Sequence, residues 1–159
     1  MIFFYFDCTC EKEDLKAEHL PGETRTLQTL QNDMIRAVYG IRKDQHVNMR
    51  KLREEIRMMS VNQMGVYHTI VETYNITVKG SSEQLRAKML PQEEQRYALR
   101  SRDHGDLRTT MKPKANCTGI VYFGPKIWNQ LPSQIKEAKS HSSFKQSVKN
   151  WVWSNIPSF

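Results

Sequence analysis

Apolar residues recur at helical spacing through the first half of the chain and predict three successive helices. From Glu23 a spacing of three and four residues predicts the first helix, and Gly40 stands where a C-terminal glycine would end it. The apolar stripe of this helix consists of Leu27, Leu30, Met34, Ile35 and Val38. A second helix is predicted from Asn48 to Met58, and Ser60 as N-cap begins a third. Short connections between amphipathic helices predict a small helical bundle over residues 23–90.

The helical pattern weakens after this bundle. Ser81 and Gln84 have the capping-box spacing of a fourth, short helix, and Pro91 ends it. Polar residues then dominate residues 91–117, which predicts a basic loop or an irregular hairpin. The candidate strands of this hairpin are Arg96–Arg100 and Leu107–Thr110.

Two aromatic-bearing elements close the chain. The run Ile120–Phe123 is rich in β-branched and aromatic residues and predicts a short strand, and Gly124 with Pro125 predicts a turn after it. A short helical segment follows, and Pro132 stops it. A capping-box spacing at Ser143 then begins a C-terminal helix. The apolar face of that helix consists of Phe144, Val148, Trp151 and Val152.

The predicted fold class is mainly α, a small helical bundle with a short β segment or irregular hairpin before a C-terminal helix. An unassigned acidic leader occupies residues 1–22, and Trp-bearing C-terminal helices with a short strand occupy residues 118–159. The leader is interpreted either as a fused or truncated segment or as a single strand. It is apolar for only its first six residues and has no basic start or cleavage site, so no signal peptide and no membrane span is predicted. This pattern predicts an intracellular protein, nuclear or cytoplasmic, that is not secreted.

Charge is distributed unevenly along the chain. The formal net charge is +7, and the first 20 residues carry a net −3. Residues 96–159 contain eleven Lys or Arg against three acids, a net +8. A basic surface of this kind favours a polyanion such as nucleic acid, because each phosphate contact releases counterions. The alternative interpretation is that the charge serves only solubility.

The sequence contains no motif for catalysis or metal binding. A phosphate-binding glycine loop, a Gly-x-Ser-x-Gly elbow and a His pair at i, i+4 are all absent. Three cysteines, an odd number without framework spacing, predict ordinary thiols in a reducing compartment rather than disulfides or a zinc site. His68 on a helical face is interpreted as a packing residue. The chain is therefore predicted to need no cofactor or metal, to act on no small-molecule substrate and to have no catalytic residues.

Basic residues interleaved with aromatic ones form the candidate nucleic-acid site. Cations of this kind bind phosphates, while an aromatic ring that stacks on a base contributes roughly 1–3 kcal/mol. The predicted nucleic-acid-binding residues are Arg96, Tyr97, Arg100, Arg102, Arg108, Lys112, Lys114 and Lys126. For Trp128 and Trp151 the competing interpretation, burial in the small core, is favoured over stacking on bases.

The closing stretch also carries a family resemblance. The segments GPKIWNQLP, IKEAKS and SFKQSVKNW resemble the extreme C-terminus of reverse-transcriptase polyproteins of non-LTR retrotransposons, the jockey-like or LINE-type elements. The segment Leu30–Ala37 also matches a segment found in that family. The signature residues, which also qualify as core residues, are Gly124, Pro125, Trp128, Leu131, Pro132, Phe144 and Trp151.

The resemblance implies a helical module downstream of the polymerase, one that helps hold element RNA or target DNA during target-primed reverse transcription. The chain departs from the family because it has no Asp-Asp pair of a polymerase site, no endonuclease and no zinc knuckle. We therefore expect a noncatalytic C-terminal fragment of an RNA-directed DNA polymerase that binds RNA or DNA with low specificity and does not bind membranes. The alternatives are a helical protein-interaction module that uses an exposed apolar face, and a decayed remnant without function.

Overall fold

The computed structural model describes residues 22–90, 106–109 and 119–157. These residues form seven α-helices and no strand, so the chain is mainly helical, as its sequence predicts. The helices are α1 Gly22–Val38, α2 Met49–Glu55, α3 Val61–Thr77, α4 Glu83–Met89, α5 Ile120–Asn129, α6 Ser133–Lys136 and α7 His141–Asn155.

The chain divides into two compact units. Unit 1 is Val66–Asn150, and the described part of unit 2 is residues 22–65 together with 151–157. Helices α3 and α7 each contribute residues to both units. Each unit has its own set of buried apolar side chains.

In unit 2, α1 is anchored by polar side chains. Gln28 Oε1 accepts a hydrogen bond from the Val61 amide at 2.9 Å, and Arg53 Nη1 donates to Asn32 Oδ1 at 2.6 Å. Gln31 Nε2 donates to the Met59 carbonyl at 2.9 Å. Arg53 is only 1% exposed, so its guanidinium depends on such partners for the hydrogen bonds that water would otherwise supply.

The apolar stripe predicted for α1 is largely on the outside of unit 2, and this expectation was wrong for three of its residues. Leu30, Met34 and Val38 are 54%, 70% and 81% exposed, whereas Ile35 is 3% exposed. The buried residues of α1 are instead Thr24, Gln28 and Ile35. The Gln28 side-chain amide donates to Gln31 and Asn32 and accepts from the Val61 backbone amide. Partners far along the chain therefore decided which side of α1 is buried.

Helix ends in unit 2 follow recognisable capping chemistry. Ser60 Oγ accepts from the Gln63 amide at 3.3 Å while Gln63 Oε1 accepts from the Ser60 amide at 3.0 Å, which confirms Ser60 as the N-cap of α3. Gly40 has φ +65° after α1, as expected of a C-terminal glycine. The second helix is shorter than predicted, because α2 ends at Glu55 and Arg57 turns the chain with φ +54°.

In unit 1, an aromatic cluster forms the centre of the core. Tyr74 of α3 stacks on Phe144 of α7 with ring centroids 4.2 Å apart, and Trp128 of α5 lies 6.0 Å from Phe144. Tyr74, Trp128 and Phe144 are 8%, 4% and 0% exposed. Burial of rings of this size dominates the energetics of a small core.

The strand predicted at Ile120–Phe123 is wrong, because these residues form the first turn of α5. Gly124 and Pro125, predicted as a turn, lie inside the same helix and are buried. Helix α5 packs against α4, and Gly124 lies directly beside Thr73 of α3. Tertiary packing therefore overrides the β preference of this short run. Pro125 has no amide hydrogen, so the Val121 carbonyl receives no bond from it.

The other local expectations also shift. Ser140, and not Ser143, caps α7, since its Oγ accepts from the Ser143 amide at 3.1 Å. Ser82, and not Ser81, precedes α4, and it makes no side-chain cap. Leu107–Thr109 form neither helix nor strand, and the Asn129 side chain pairs with both the N–H and the C=O of Leu107. Thr110 and Arg96–Arg100 lie outside the described residues.

Candidate nucleic-acid interface

Two of the predicted nucleic-acid-binding residues lie within the described part of the chain. Arg108 has an exposed side chain, and its amide donates to the Met89 carbonyl at 2.8 Å, which positions it at the end of α4. Lys126 is half-buried, with its Nζ 2.6 Å from Tyr122 Oη and 4.2 Å from the Tyr122 ring centroid. The others fall outside the described residues, and they are Arg96, Tyr97, Arg100, Arg102, Lys112 and Lys114.

The signature residues of the closing stretch are mostly buried. Trp128 and Leu131 are 4% and 3% exposed, and Phe144 is 0% exposed. Gly124 and Pro125 are buried within α5, as described above. Pro132 is exposed and Trp151 is half-buried. A tryptophan with 4% exposure has no face open to a base, so Trp128 is a core residue rather than a stacking platform.

Unit 1 carries a surplus of positive charge. Its described residues include nine Lys or Arg and four Asp or Glu, a net +5. Two of the cations are paired with acids, Arg86 with Glu83 at 3.7 Å and Lys136 with Asp106 at 2.9 Å. Six others are exposed and form no ion pair with a described acid, namely Lys79, Lys88, Arg108, Lys139, Lys145 and Lys149.

Only Arg108 of these six cations is among the residues predicted from the sequence to bind nucleic acid, because the aromatic and basic residues interleave in residues 96–126. The signal that would have found two of them is the spacing on α7. Lys145 and Lys149 directly follow Phe144 and Val148, which are each 0% exposed. Residues next to a buried row on a helix face lie at its edge, where a long side chain keeps its charged end in water.

His141 lies close enough to two lysines to feel their positive charge. Its ring stacks on Tyr74 with centroids 5.5 Å apart and an angle of 13° between the planes. Its Nε2 is shielded from solvent and has no hydrogen-bond partner among the described residues. Burial lowers the pKa of His141, and the positive charges of Lys79 and Lys145 lower it further. Because the ordinary pKa of histidine is already below 7, the lowered pKa keeps the imidazole mainly neutral at pH 7.

Other types of site are poorly represented in the described part of the chain. No three His, Cys, Asp or Glu side chains among those residues come together to hold a metal ion. None of the described helices has the length and apolar character needed to cross a membrane. A cavity of about 230 Å³ in unit 2 is bordered by the Arg50–Glu54 ion pair and the Gln63 side chain. It is smaller than the roughly 300–1,000 Å³ of typical ligand pockets.

Comparisons of the chain with protein-family models, with curated proteins and with solved structures found no match. The function is therefore inferred from the chain's own residues.

Proposed function

We propose that the chain is a noncatalytic nucleic-acid-binding module that contacts RNA or DNA, with low sequence specificity, through exposed lysine and arginine side chains. The observation that carries this proposal is the net +5 of the described residues of unit 1, with six exposed cations that have no described acidic partner. Surface lysines whose charge is not compensated attract phosphates at long range. Because lysine is a flexible point charge, it binds a phosphate without reading a base.

We further propose that the module derives from the C-terminal region of a non-LTR retrotransposon reverse transcriptase. The support is the GPKIWNQLP stretch together with SFKQSVKNW, whose order and spacing match the ends of such polyproteins. In such a polyprotein the module would support target-primed reverse transcription by holding RNA or DNA near the polymerase. An intracellular location, nuclear or cytoplasmic, belongs to the same proposal.

The absence of polymerase activity in this chain is part of the proposal. Phosphoryl transfer by two metal ions needs carboxylates that clamp both ions about 3.5–4 Å apart. The sequence has no Asp-Asp pair, and two of the four described acids of unit 1 are engaged by cations. A primer-extension assay on the purified chain should show no incorporation of nucleotides.

Binding itself is tested by fluorescence anisotropy with end-labelled single strands of RNA and DNA, each about 20 nucleotides long. We expect micromolar dissociation constants at low salt and little difference between sequences, since phosphate contacts carry no base information. A neutral peptide nucleic acid of the same sequence is the matched control, because it offers bases without phosphates. A flat anisotropy curve with RNA and DNA at low salt would reject the proposal.

A second candidate function is favoured by one observation. Leu30, Met34 and Val38 form an exposed apolar row on α1 at intervals of four residues. Exposed apolar rows of this kind often bind a protein partner. Light scattering across a range of chain concentrations distinguishes the two functions. Association that depends on concentration and is lost in Met34→Lys, without affinity for nucleic acid, would favour the interaction module.

A further inference from the structure

Helix α7 presents a row of basic residues along the edge of its buried face. His141, Lys145 and Lys149 follow one another at intervals of four residues. Four residues of an α-helix rise about 6 Å, so the two lysines start about one turn apart. Phe144 and Val148 are fully buried beside them, and this packing fixes the direction of the row. Both lysine side chains are exposed.

Lys79, two residues after the end of α3, is a further cation near the start of this row. The Lys79 amide donates to the Tyr74 carbonyl at 3.4 Å, so Lys79 lies within a turn of Tyr74. Because the Tyr74 ring stacks on His141 at 5.5 Å, the start of α7 and the end of α3 lie side by side. The charges that act most strongly on His141 are those of Lys79 and Lys145, and both are positive.

None of the four described acids of unit 1 forms an ion pair with these lysines. Glu83 and Asp106 form ion pairs with Arg86 and Lys136. Glu72 accepts a hydrogen bond from Asn75 at 3.3 Å. Glu137 is exposed and is the one other described acid in the unit. Lys79, Lys145 and Lys149 therefore form no ion pair with a described acid of the unit.

We infer that Lys79, Lys145 and Lys149 form a phosphate-binding row that engages consecutive phosphates of one nucleic-acid strand. This inference rests on the proposed function and assigns the place where the strand is held. His141 precedes Lys145 by four residues on α7 and carries a mainly neutral ring. The neutral imidazole adds no positive charge for the strand to bind. Bound phosphates offset the charges of the two neighbouring lysines, and the pKa of His141 rises as a result.

The row is tested in the full chain with the double variant Lys145→Gln/Lys149→Gln. Its control is Lys43→Gln/Lys51→Gln, which removes the same charge from two exposed lysines in unit 2, of which Lys43 lies 3.7 Å from Asp33. Glutamine has a helix propensity close to that of lysine, so the substitutions should leave the helices intact. Affinity for a single-stranded RNA of about 20 nucleotides is measured by anisotropy at several salt concentrations.

Loss of two phosphate contacts should flatten the plot of log affinity against log salt by about 1.4, because each contact to a single strand contributes about 0.7. If wild type and variant bind equally at about 1 M salt, the variant binds roughly 25-fold more weakly than wild type at 0.1 M salt. The control variant should bind only about twofold more weakly. Equal effects of the two double variants would overturn the inference. If the wild-type chain binds no RNA, the proposed function itself fails, and the two failures are thereby distinguished.

A second measurement uses the wild-type chain and needs no variant. The pKa of His141, followed by NMR of its ring protons, should rise when RNA saturates the chain, because phosphates offset the charges of Lys79 and Lys145. His68, in the same unit, is exposed, so its interpretation as a packing residue was wrong, and its ring signals serve as the internal control. An unchanged pKa of His141 at saturating RNA would overturn the inference.

Discussion

Replacing Gly124 with alanine perturbs a close contact between α3 and α5. A Cβ at position 124 would lie 2.5 Å from Thr73 Oγ1, which is closer than real Cβ contacts allow. Thr73 is 0% exposed, and its hydroxyl donates to the Thr69 carbonyl at 2.7 Å. Relief of this clash requires the hydroxyl to turn away and give up that bond, the two helices to move apart, or both.

The expected change in the free energy of unfolding combines one stabilising effect with two destabilising ones. Alanine stabilises a helix interior by about 1 kcal/mol relative to glycine. Overpacking a tight contact costs about 1–3 kcal/mol, and loss of the Thr73 hydrogen bond adds about 1 kcal/mol. We therefore expect Gly124→Ala to lower the free energy of unfolding by about 1–3 kcal/mol.

The assay is urea unfolding followed by far-UV circular dichroism and tryptophan fluorescence, with a double-mutant cycle. Thr73→Ala removes the oxygen that the new methyl group meets, so it should recover about 1–2 kcal/mol in the Gly124→Ala background. Thr73→Val keeps the bulk at that position and should recover little. If Gly124→Ala instead stabilises the chain by about 1 kcal/mol, helix propensity alone is acting and the close contact is refuted.

Three further predictions concern single residues. Arg57 has φ +54° after α2, so Arg57→Gly should stabilise the chain by about 0.5–1 kcal/mol. The relief of left-handed strain exceeds the entropy that glycine adds to the unfolded chain. A lower urea midpoint for the variant than for the wild type would contradict this. Ile35→Ala should cost about 2–4 kcal/mol, whereas Met34→Lys should change the free energy of unfolding by less than about 0.5 kcal/mol, because Ile35 is 3% exposed and Met34 is 70% exposed. If Ile35→Ala and Met34→Lys lowered the melting temperature equally, the buried face of α1 would be wrongly assigned. Burial and two neighbouring lysines lower the pKa of His141 below its ordinary 6.5. The folded chain therefore binds a proton at His141 less readily than the unfolded chain does, and the free energy of unfolding falls as pH drops below 6.5. In His141→Gln part of that fall should disappear, and parallel pH profiles for the variant and the wild type would contradict the assignment.

Helix positions were largely predictable from local spacing and caps, but the buried face of α1 was not. Ser60 and Gly40 act within a few residues of the helices that they cap or end, so their effect is visible in the sequence. The partners of α1 are distant, since Gln28 pairs with a residue 33 positions away and Asn32 with one 21 positions away. Buried amide side chains with such partners can displace an apolar stripe, and a local pattern does not contain this information.

The helical state of Ile120–Phe123 depends on a distant neighbour in the same way. Its β-branched residues favour a strand locally, but Gly124 packs beside Thr73, which lies 51 positions earlier in the chain. The basic character of the candidate site was predictable from charge counts. The particular row on α7 required knowing that Phe144 and Val148 are buried, because only then are Lys145 and Lys149 placed at the edge of that face.

The salt dependence of nucleic-acid affinity tests the central claim most directly. If six exposed cations of unit 1 each meet one phosphate of a single strand, the plot of log affinity against log salt has a slope of about −4. Affinity for single-stranded RNA should then fall roughly 300-fold between 50 mM and 200 mM salt. A slope near zero, with affinity unchanged across that range, would contradict binding through phosphate contacts.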